Sequence, residues 1–333
     1  MNPRKRILVI KLSSFGDIFH ALPAVSNLKQ ALDADVDWVT QPEYVELVKC
    51  FPIVSRVIPF PRRHFWTNAL SFRKSIILHQ YDLVIDLQGL LKSAFAGWMA
   101  RGVRRIGPSF QREGAWLFYD AVAGIRNKNR HAVEENLDVV RHLGLPMLPV
   151  VFPVQFPVQP CDEPRPRIAI VPLSRRANKN WPVARFIETA AALRAEFNAS
   201  IYLFGSQADH EICARIQSAL LTGKGTAGVV NLAGKTNLVE MGGWFKQMDM
   251  VVVNDSGPLH MAAALHVPVV TMFGPTDPCR TGPYGGRHRV ITTDVACRPC
   301  YARVCPLKSV ECMDGIPAGK VIEAARKILE ARE

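Results

Sequence analysis

The sequence predicts an α/β protein built of two Rossmann-like, doubly wound halves, and three features lead there. Apolar, strand-like runs alternate with helix-length segments along the chain, which is the βαβ rhythm of a parallel sheet. A stretch holding Pro146, Pro149, Pro153, Pro157, Pro160, Pro164 and Pro166 divides that rhythm, because prolines at this density continue neither a helix nor a central strand. Each half also contains a strand, a short polar turn and a helix: Lys11-Leu12-Ser13-Ser14-Phe15-Gly16-Asp17 in the first, Asn254-Asp255-Ser256-Gly257-Pro258 in the second. Turns at the carboxyl ends of strands are where open α/β sheets bind ligands. Two of them, far apart, imply two domains facing each other across a cleft.

In chain order, the first half offers strands at 6–12, 36–39, 56–60, 83–87 and 104–106, with helices between them. The second rhythm begins at Ile168-Ala169-Ile170-Val171 and continues through strands at 201–204, 229–232, 250–253 and 268–271. The segment 318–332 spaces Val321, Ile322, Ala325, Ile328 and Leu329 as one apolar helical face. The expected domains are 1–158 and 159–333, with the closing helix able to pack back on the first. No internal sequence repeat relates the halves.

Length and composition bound the function. The chain has 333 residues, enough for two cores, and no apolar run long enough for a membrane helix. The basic start resembles a signal peptide until Lys11, Gly16 and Asp17 interrupt the apolar stretch, so a cytosolic address is expected. The chain carries a net charge of +12, and basic clusters stand in the first half around Arg62 and Arg63, Arg104 and Arg105, and Arg126 to His131. An acidic substrate or an anionic membrane face suits such charge. Nucleic acid does not, because no helix-turn-helix, RNA-recognition or zinc-finger signature accompanies it.

The motifs carry the chemistry. Asp17 stands at the positive end of the first helix, where a carboxylate can act as N-cap or can stay ionised and accept a proton from an attacking hydroxyl. Pro258 and Gly257 open a helix whose free backbone donors suit a phosphate. Asp255 beside them fits sugar hydroxyls or loop fixation better than phosphate. Ser174-Arg175-Arg176-Ala177-Asn178-Lys179 brings a hydroxyl and three cations to the same sheet edge, and Lys179 can neutralise a leaving diphosphate.

Three lookalikes fail. Gly234-Lys235-Thr236 resembles the end of a P-loop, but the upstream glycine is replaced by Val229. Asp33-Ala34-Asp35 mimics a metal-binding Asp-x-Asp but has no nucleotide turn beside it. No Gly-x-Gly-x-x-Gly opens either half, which argues against NAD or FAD. No cofactor and no catalytic metal are expected. Of eight cysteines, Cys297, Cys300, Cys305 and Cys312 cluster late. Their spacing departs from paired Cys-x-x-Cys knuckles, so reduced thiols are expected over a structural zinc site.

Taken in order, these motifs resemble glycosyltransferase family 9, the lipopolysaccharide heptosyltransferases of GT-B fold. Asp86-Leu87-Gln88-Gly89-Leu90-Leu91-Lys92-Ser93-Ala94, His131-Ala132-Val133-Glu134, Lys179-Asn180-Trp181-Pro182, Leu232-Ala233-Gly234-Lys235-Thr236 and Phe273-Gly274-Pro275-Thr276-Asp277-Pro278 extend the match along nearly the whole chain. The resemblance implies an inverting, metal-independent transfer of heptose from ADP-heptose to a Kdo–lipid A acceptor, at the cytoplasmic face of the inner membrane. It assigns Asp17 as catalytic base and Lys179 to the diphosphate. Ser174, Asp209, Asp255, Ser256 and Gly257 fall at the donor, with Glu211 as an alternative to Asp209. Ser14, Gly16, Arg62, Arg63, Lys92, Arg112 and His131 fall at the acceptor.

Other readings stay open at this point. A second-heptose or other-sugar transferase would share the motifs. A GT-B-fold nucleotide-sugar epimerase would need paired acid and base carboxylates, whereas Asp17 alone is well placed. A two-lobed binding protein would not need Gly16-Asp17 at all.

Overall fold

A computed structural model describes residues 4–62, 65–222 and 227–331. The chain divides into two compact units, Met1–Gln155 and Phe156–Glu333, which part inside the proline-rich stretch. On one side of that point Leu148 N–H donates to Asn27 Oδ1 (2.8 Å) and Gln155 N–H to the Cys50 carbonyl (2.8 Å). On the other, Phe156 is buried against Gly242, where a Cβ would come within 2.4 Å of its ring.

The first unit runs β1 (Arg6–Ile10), α1 (Phe15–Leu32), β2 (Asp35–Thr40), α2 (Val45–Lys49), β3 (Arg56–Pro59) and α3 (Phe65–Ile76). It continues with β4 (Gln80–Asp86), α4 (Leu91–Trp98), β5 (Arg101–Pro108), β6 (Ala121–Ala123) and α5 (Ala132–His142). The second unit runs β7 (Arg167–Val171), α6 (Val183–Phe197), β8 (Ser200–Leu203), α7 (His210–Leu221), β9 (Val229–Asn231) and α8 (Leu238–Phe245). It closes with β10 (Met250–Asn254), α9 (Gly257–Ala264), β11 (Val269–Met272), α10 (Pro278–Thr281), β12 (Arg289–Ile291), α11 (Glu311–Asp314) and α12 (Ala318–Glu330).

Each unit holds a six-stranded sheet, in the orders β3-β2-β1-β4-β5-β6 and β12-β11-β10-β7-β8-β9. Neighbouring strands pair parallel throughout. Numbered from each unit's own start, both read 3-2-1-4-5-6, the dinucleotide-fold order. Covered on both faces, central strands must be apolar at every position. Ile7 to Ile10 and Met250 to Val253 are accordingly fully buried. Strand order reverses between β1 and β4 in one sheet and between β7 and β10 in the other. The crevices at these reversals are the places where such sheets hold ligands.

Two strands escaped the sequence reading, β6 and β12. Both are three-residue edge strands, and β12 is largely exposed, so neither has the apolar run that marks a central strand. The closing helix belongs to the second unit. Its apolar face, Val321, Ala325, Ile328 and Leu329, is buried in the core of the second unit itself. Arg326 adds a two-pronged bond to Glu196 of α6 (2.7 and 2.8 Å).

Candidate active site

In the first unit the chain leaves β1 at Lys11, turns, and enters α1 with Ser14 as N-cap. Asp17 is thus the third helical residue and not the N-cap, and its carboxylate reaches back. Oδ2 accepts from the Ser14 N–H (3.0 Å) and Oγ (2.8 Å), the return half of a capping box. Oδ1 lies 3.7 Å from Nδ1 of His20, one turn along. The Asp17 side chain is 46% exposed, while that of His20 is 4% exposed. The carboxylate therefore rests on buried groups and presents an edge to solvent.

Its electrostatics follow from those groups. Burial pushes the Asp17 carboxyl up, but the His20 ring, the Lys11 charge and the Ser14 N–H outweigh it and hold the group well below the usual carboxylate range. Lys11 is buried, donates from Nζ to the Leu87 carbonyl (2.6 Å) and lies 5.8 Å from the Phe110 ring centroid. Burial lowers its pKa, against the pull of Asp17 and Asp86. Sequence reasoning placed Asp17 but gave Lys11 and His20 no role. The signals were there: a lone lysine closing an apolar run, and a histidine three residues beyond the carboxylate.

The turn after β4 stands beside the turn after β1 at the same switch point. Gln88 Oε1 ties them by accepting from Leu12 N–H (3.0 Å) and Ser13 N–H (2.9 Å). Asp86 anchors the β4 turn, accepting from Gln88 N–H, Gly89 N–H, Ser93 Oγ and the Tyr119 hydroxyl at 2.6 to 3.1 Å. Gly89 is required here: its φ is +69°, and a Cβ would come within 2.9 Å of Pro108. Its carbonyl accepts from Arg112 N–H (2.8 Å), which sets Arg112 next to the start of α4, where Lys92 lies exposed.

His131 caps α5, its Nδ1 accepting from Val133 N–H (3.1 Å), and its ring meets His20 edge-on at 5.5 Å. Ser14 is thus linked to Asp17, and Asp17 and His131 both to His20, while Arg112 is tied to Gly89 in the turn before α4. Arg62 follows β3 at the same end of the sheet and is exposed. Arg63 lies outside the described residues.

In the second unit, the turns after β7 and β10 are likewise tied across the switch point. Asn254 donates to the Pro172 carbonyl (2.7 Å) and accepts from Trp181 N–H (3.1 Å). Asn180 Oδ1 accepts from both the N–H (2.7 Å) and Oγ (2.8 Å) of Ser174. Lys179, expected at the diphosphate, is ion-paired with Asp255, and Thr276 Oγ1 donates to the same carboxylate oxygen (2.5 Å). Ser256 is the N-cap of α9, and its buried Oγ has no hydrogen-bond partner among the described residues. Gly257 and Pro258 then open the helix, whose first N–H groups suit an anion.

Asp209 sits one strand away, after β8, and accepts from the N–H (2.7 Å) and Oγ (2.8 Å) of Ser206. This repeats the Ser14–Asp17 arrangement, with Asp209 closing a capping box on Ser206. Cys297, Cys300, Cys305 and Cys312 are free thiols lining one pocket with Asn178 and Pro275. Among the described residues, no three or more His, Cys, Asp or Glu side chains are grouped to hold a metal ion.

Two Rossmann-like units, each with tied polar turns at its switch point, are the architecture of a GT-B transferase. Residues 69–311 match the model of glycosyltransferase family 9 (heptosyltransferase). The lipopolysaccharide heptosyltransferase 1 of Pseudomonas aeruginosa is 30% identical over 329 residues, 92% of this chain and 89% of that one. A lipooligosaccharide heptosyltransferase 2 of Campylobacter jejuni is 28% identical, with 95% of each chain covered. Among solved structures, the E. coli heptosyltransferase WaaC with ADP superposes with a TM-score of 0.79 at 26% identity, over 97% of this chain and 99% of that one. The chain belongs to glycosyltransferase family 9, and it is a glycosyltransferase.

Proposed function

We propose that this enzyme transfers heptose from ADP-heptose to the Kdo sugars of a lipid A acceptor, with inversion and without a catalytic metal. The observation that carries the reading is Asp17: a carboxylate held ionised by Lys11 and His20, yet open to solvent at the switch point of its sheet. The relatives' names supply the substrate class, and one solved relative holds ADP.

An acceptor hydroxyl attacks the anomeric carbon of the heptose as the bond to ADP breaks. A carboxylate is a weak base toward a sugar hydroxyl, so proton transfer to Asp17 comes late, once the attacking oxygen has become acidic through bond formation. The bonding pair of the broken C–O bond leaves with ADP, whose diphosphate gains charge. The α9 N-terminus and the Ser256 hydroxyl are suited to that charge. Lys179 joins them by exchanging Asp255 for phosphate, and the freed Asp255 carboxylate can take a sugar hydroxyl. Ser174 and Asp209 belong to the same donor side. Arg62, Arg63, Lys92, Arg112 and His131 meet the carboxylates and phosphates of the acceptor, arginine through its two-pronged fork.

Relatives named for the first and for the second heptose both match, so acceptor choice is the test. In an ADP-release assay run in EDTA, deacylated Kdo2–lipid A should support turnover and its heptosylated product should not. Turnover on the heptosylated acceptor alone assigns the second position instead. Strict dependence on added magnesium removes the metal-free mechanism.

A further inference from the structure

The fourth helix of the first unit is packed inside out. Its buried side consists of small residues, Ser93, Ala94, Ala96 and Gly97, and it lies so close to the sheet that a Cβ on Gly97 would stand 3.1 Å from Ile10 and 3.2 Å from Val84. Its large apolar residues point the other way. Leu91, Phe95 and Trp98 fall at i, i+4 and i+7, one face of a helix, and Leu91 and Trp98 are 43% and 54% exposed. Helices on a soluble core ordinarily do the reverse.

That outward face is extended by the short turn Ala115–Phe118. Phe95 stacks on Trp98 with ring centroids 5.6 Å apart, and Phe118 meets both edge-on at 6.0 and 6.3 Å. Beside Phe118 in the same turn, Trp116 is 56% and Leu117 67% exposed. The result is a continuous aromatic and aliphatic platform, the kind of exposed surface that marks an interaction site. Exposed cations flank it: Lys92 and Arg112 at the start of the helix, Arg101 just past its end. The nearby acids Glu113 and Asp120 are exposed as well, and each accepts a backbone bond, Glu113 from Leu91 N–H (3.3 Å) and Asp120 from Arg105 N–H (2.7 Å).

We propose that this platform docks the enzyme on an anionic lipid surface, with Trp98, Trp116 and Leu117 entering the interface and the flanking cations meeting headgroups. Tryptophan favours the headgroup level, where its ring is buried and its N–H stays wet, and basic residues add attraction to anionic lipid. Among the described residues no helix is long and apolar enough to cross a membrane. The choice of lipid over a protein partner rests on the proposed lipid-anchored acceptor. Lys92 and Arg112, proposed to hold its charged head, stand at the edge of the platform, which leaves the apolar surface beside the acyl anchor.

The test uses the full chain and acceptor-free vesicles, so it can fail independently of the transfer reaction. Wild-type protein should sediment with vesicles of phosphatidylcholine containing phosphatidylglycerol, less with phosphatidylcholine alone, and less as salt is raised. The triple variant Trp98→Ser/Trp116→Ser/Leu117→Ser should bind about tenfold more weakly or worse, having lost most of the apolar area that enters the interface. Its turnover on a soluble, deacylated acceptor should equal that of wild type, which also shows that it is folded. Brominated acyl chains should quench wild-type tryptophan fluorescence, and Trp98→Ser/Trp116→Ser should lose that quenching. Failure of the wild type to bind anionic vesicles overturns the proposal, as does equal binding by the triple variant. A dimer that the triple variant dissolves, without vesicle binding, assigns the platform to a second copy of the chain instead.

Discussion

A carboxylate that takes a proton from substrate must be charged beforehand and reachable, and Asp17 meets both needs through buried neighbours. Its Oδ2 is occupied by Ser14, and Oδ1 is the atom left toward His20 and solvent. Asp17→Asn keeps an acceptor for Ser14, and therefore the cap, while removing the base. A loss of about two to four powers of ten in turnover is expected, with thermal unfolding and donor affinity little changed. Because the folded-state pKa lies below the unfolded one, the ionised carboxylate stabilises the fold above the ordinary carboxylate value, and that contribution is lost as pH falls through the folded pKa. The same sign governs activity. The acid limb of kcat/KM that belongs to Asp17 should lie below about pH 4, and His20→Gln should move it upward. An unmoved limb in that variant contradicts the role given to His20. Sequence showed Asp17 because a Gly-Asp pair at a helix start is a local pattern. Its two partners left only faint signals, because Lys11 becomes significant only once burial denies it water.

Elements hold the site through ties between neighbouring turns. The Lys179–Asp255 pair joins the β7 and β10 turns, with the two side chains only 14% and 6% exposed. Lys179→Ala leaves a buried carboxylate with Thr276 alone, and a stability loss on the order of 3 kcal/mol is expected in denaturant titrations. Adding Asp255→Ala should restore most of that stability but none of the turnover. A double variant that regains activity would show that the pair serves packing only. In the first unit, Gly97→Val should overpack α4 against Ile10 and Val84 and cost about 1 to 3 kcal/mol, measured the same way. Central strands were legible because burial on both faces demands unbroken apolar runs. The edge strands β6 and β12 were not, since three half-exposed residues leave no such pattern. The pairing of Lys179 with Asp255 was equally hidden, because it depends on strand order and not on proximity in the chain.

At the scale of the molecule, the same strand order appears twice, and each copy brings different chemistry to its switch point. A carboxylate resting on buried groups and exposed cations stand in the first unit, and a helix start with an unpartnered Ser256 hydroxyl and a lysine–carboxylate pair in the second. The halves share no sequence repeat, so their common topology was legible only as rhythm. A division of labour between acceptor and donor predicts that neither half turns over ADP-heptose alone. The most direct test is ADP release from ADP-heptose by the full-length enzyme, measured with and without deacylated Kdo2–lipid A and repeated with Asp17→Asn. The expected result is rapid release with acceptor, almost none without it, and a loss of the acceptor-dependent rate in the variant. Release at equal rates with and without acceptor, or an unimpaired Asp17→Asn enzyme, would contradict base-assisted heptosyl transfer.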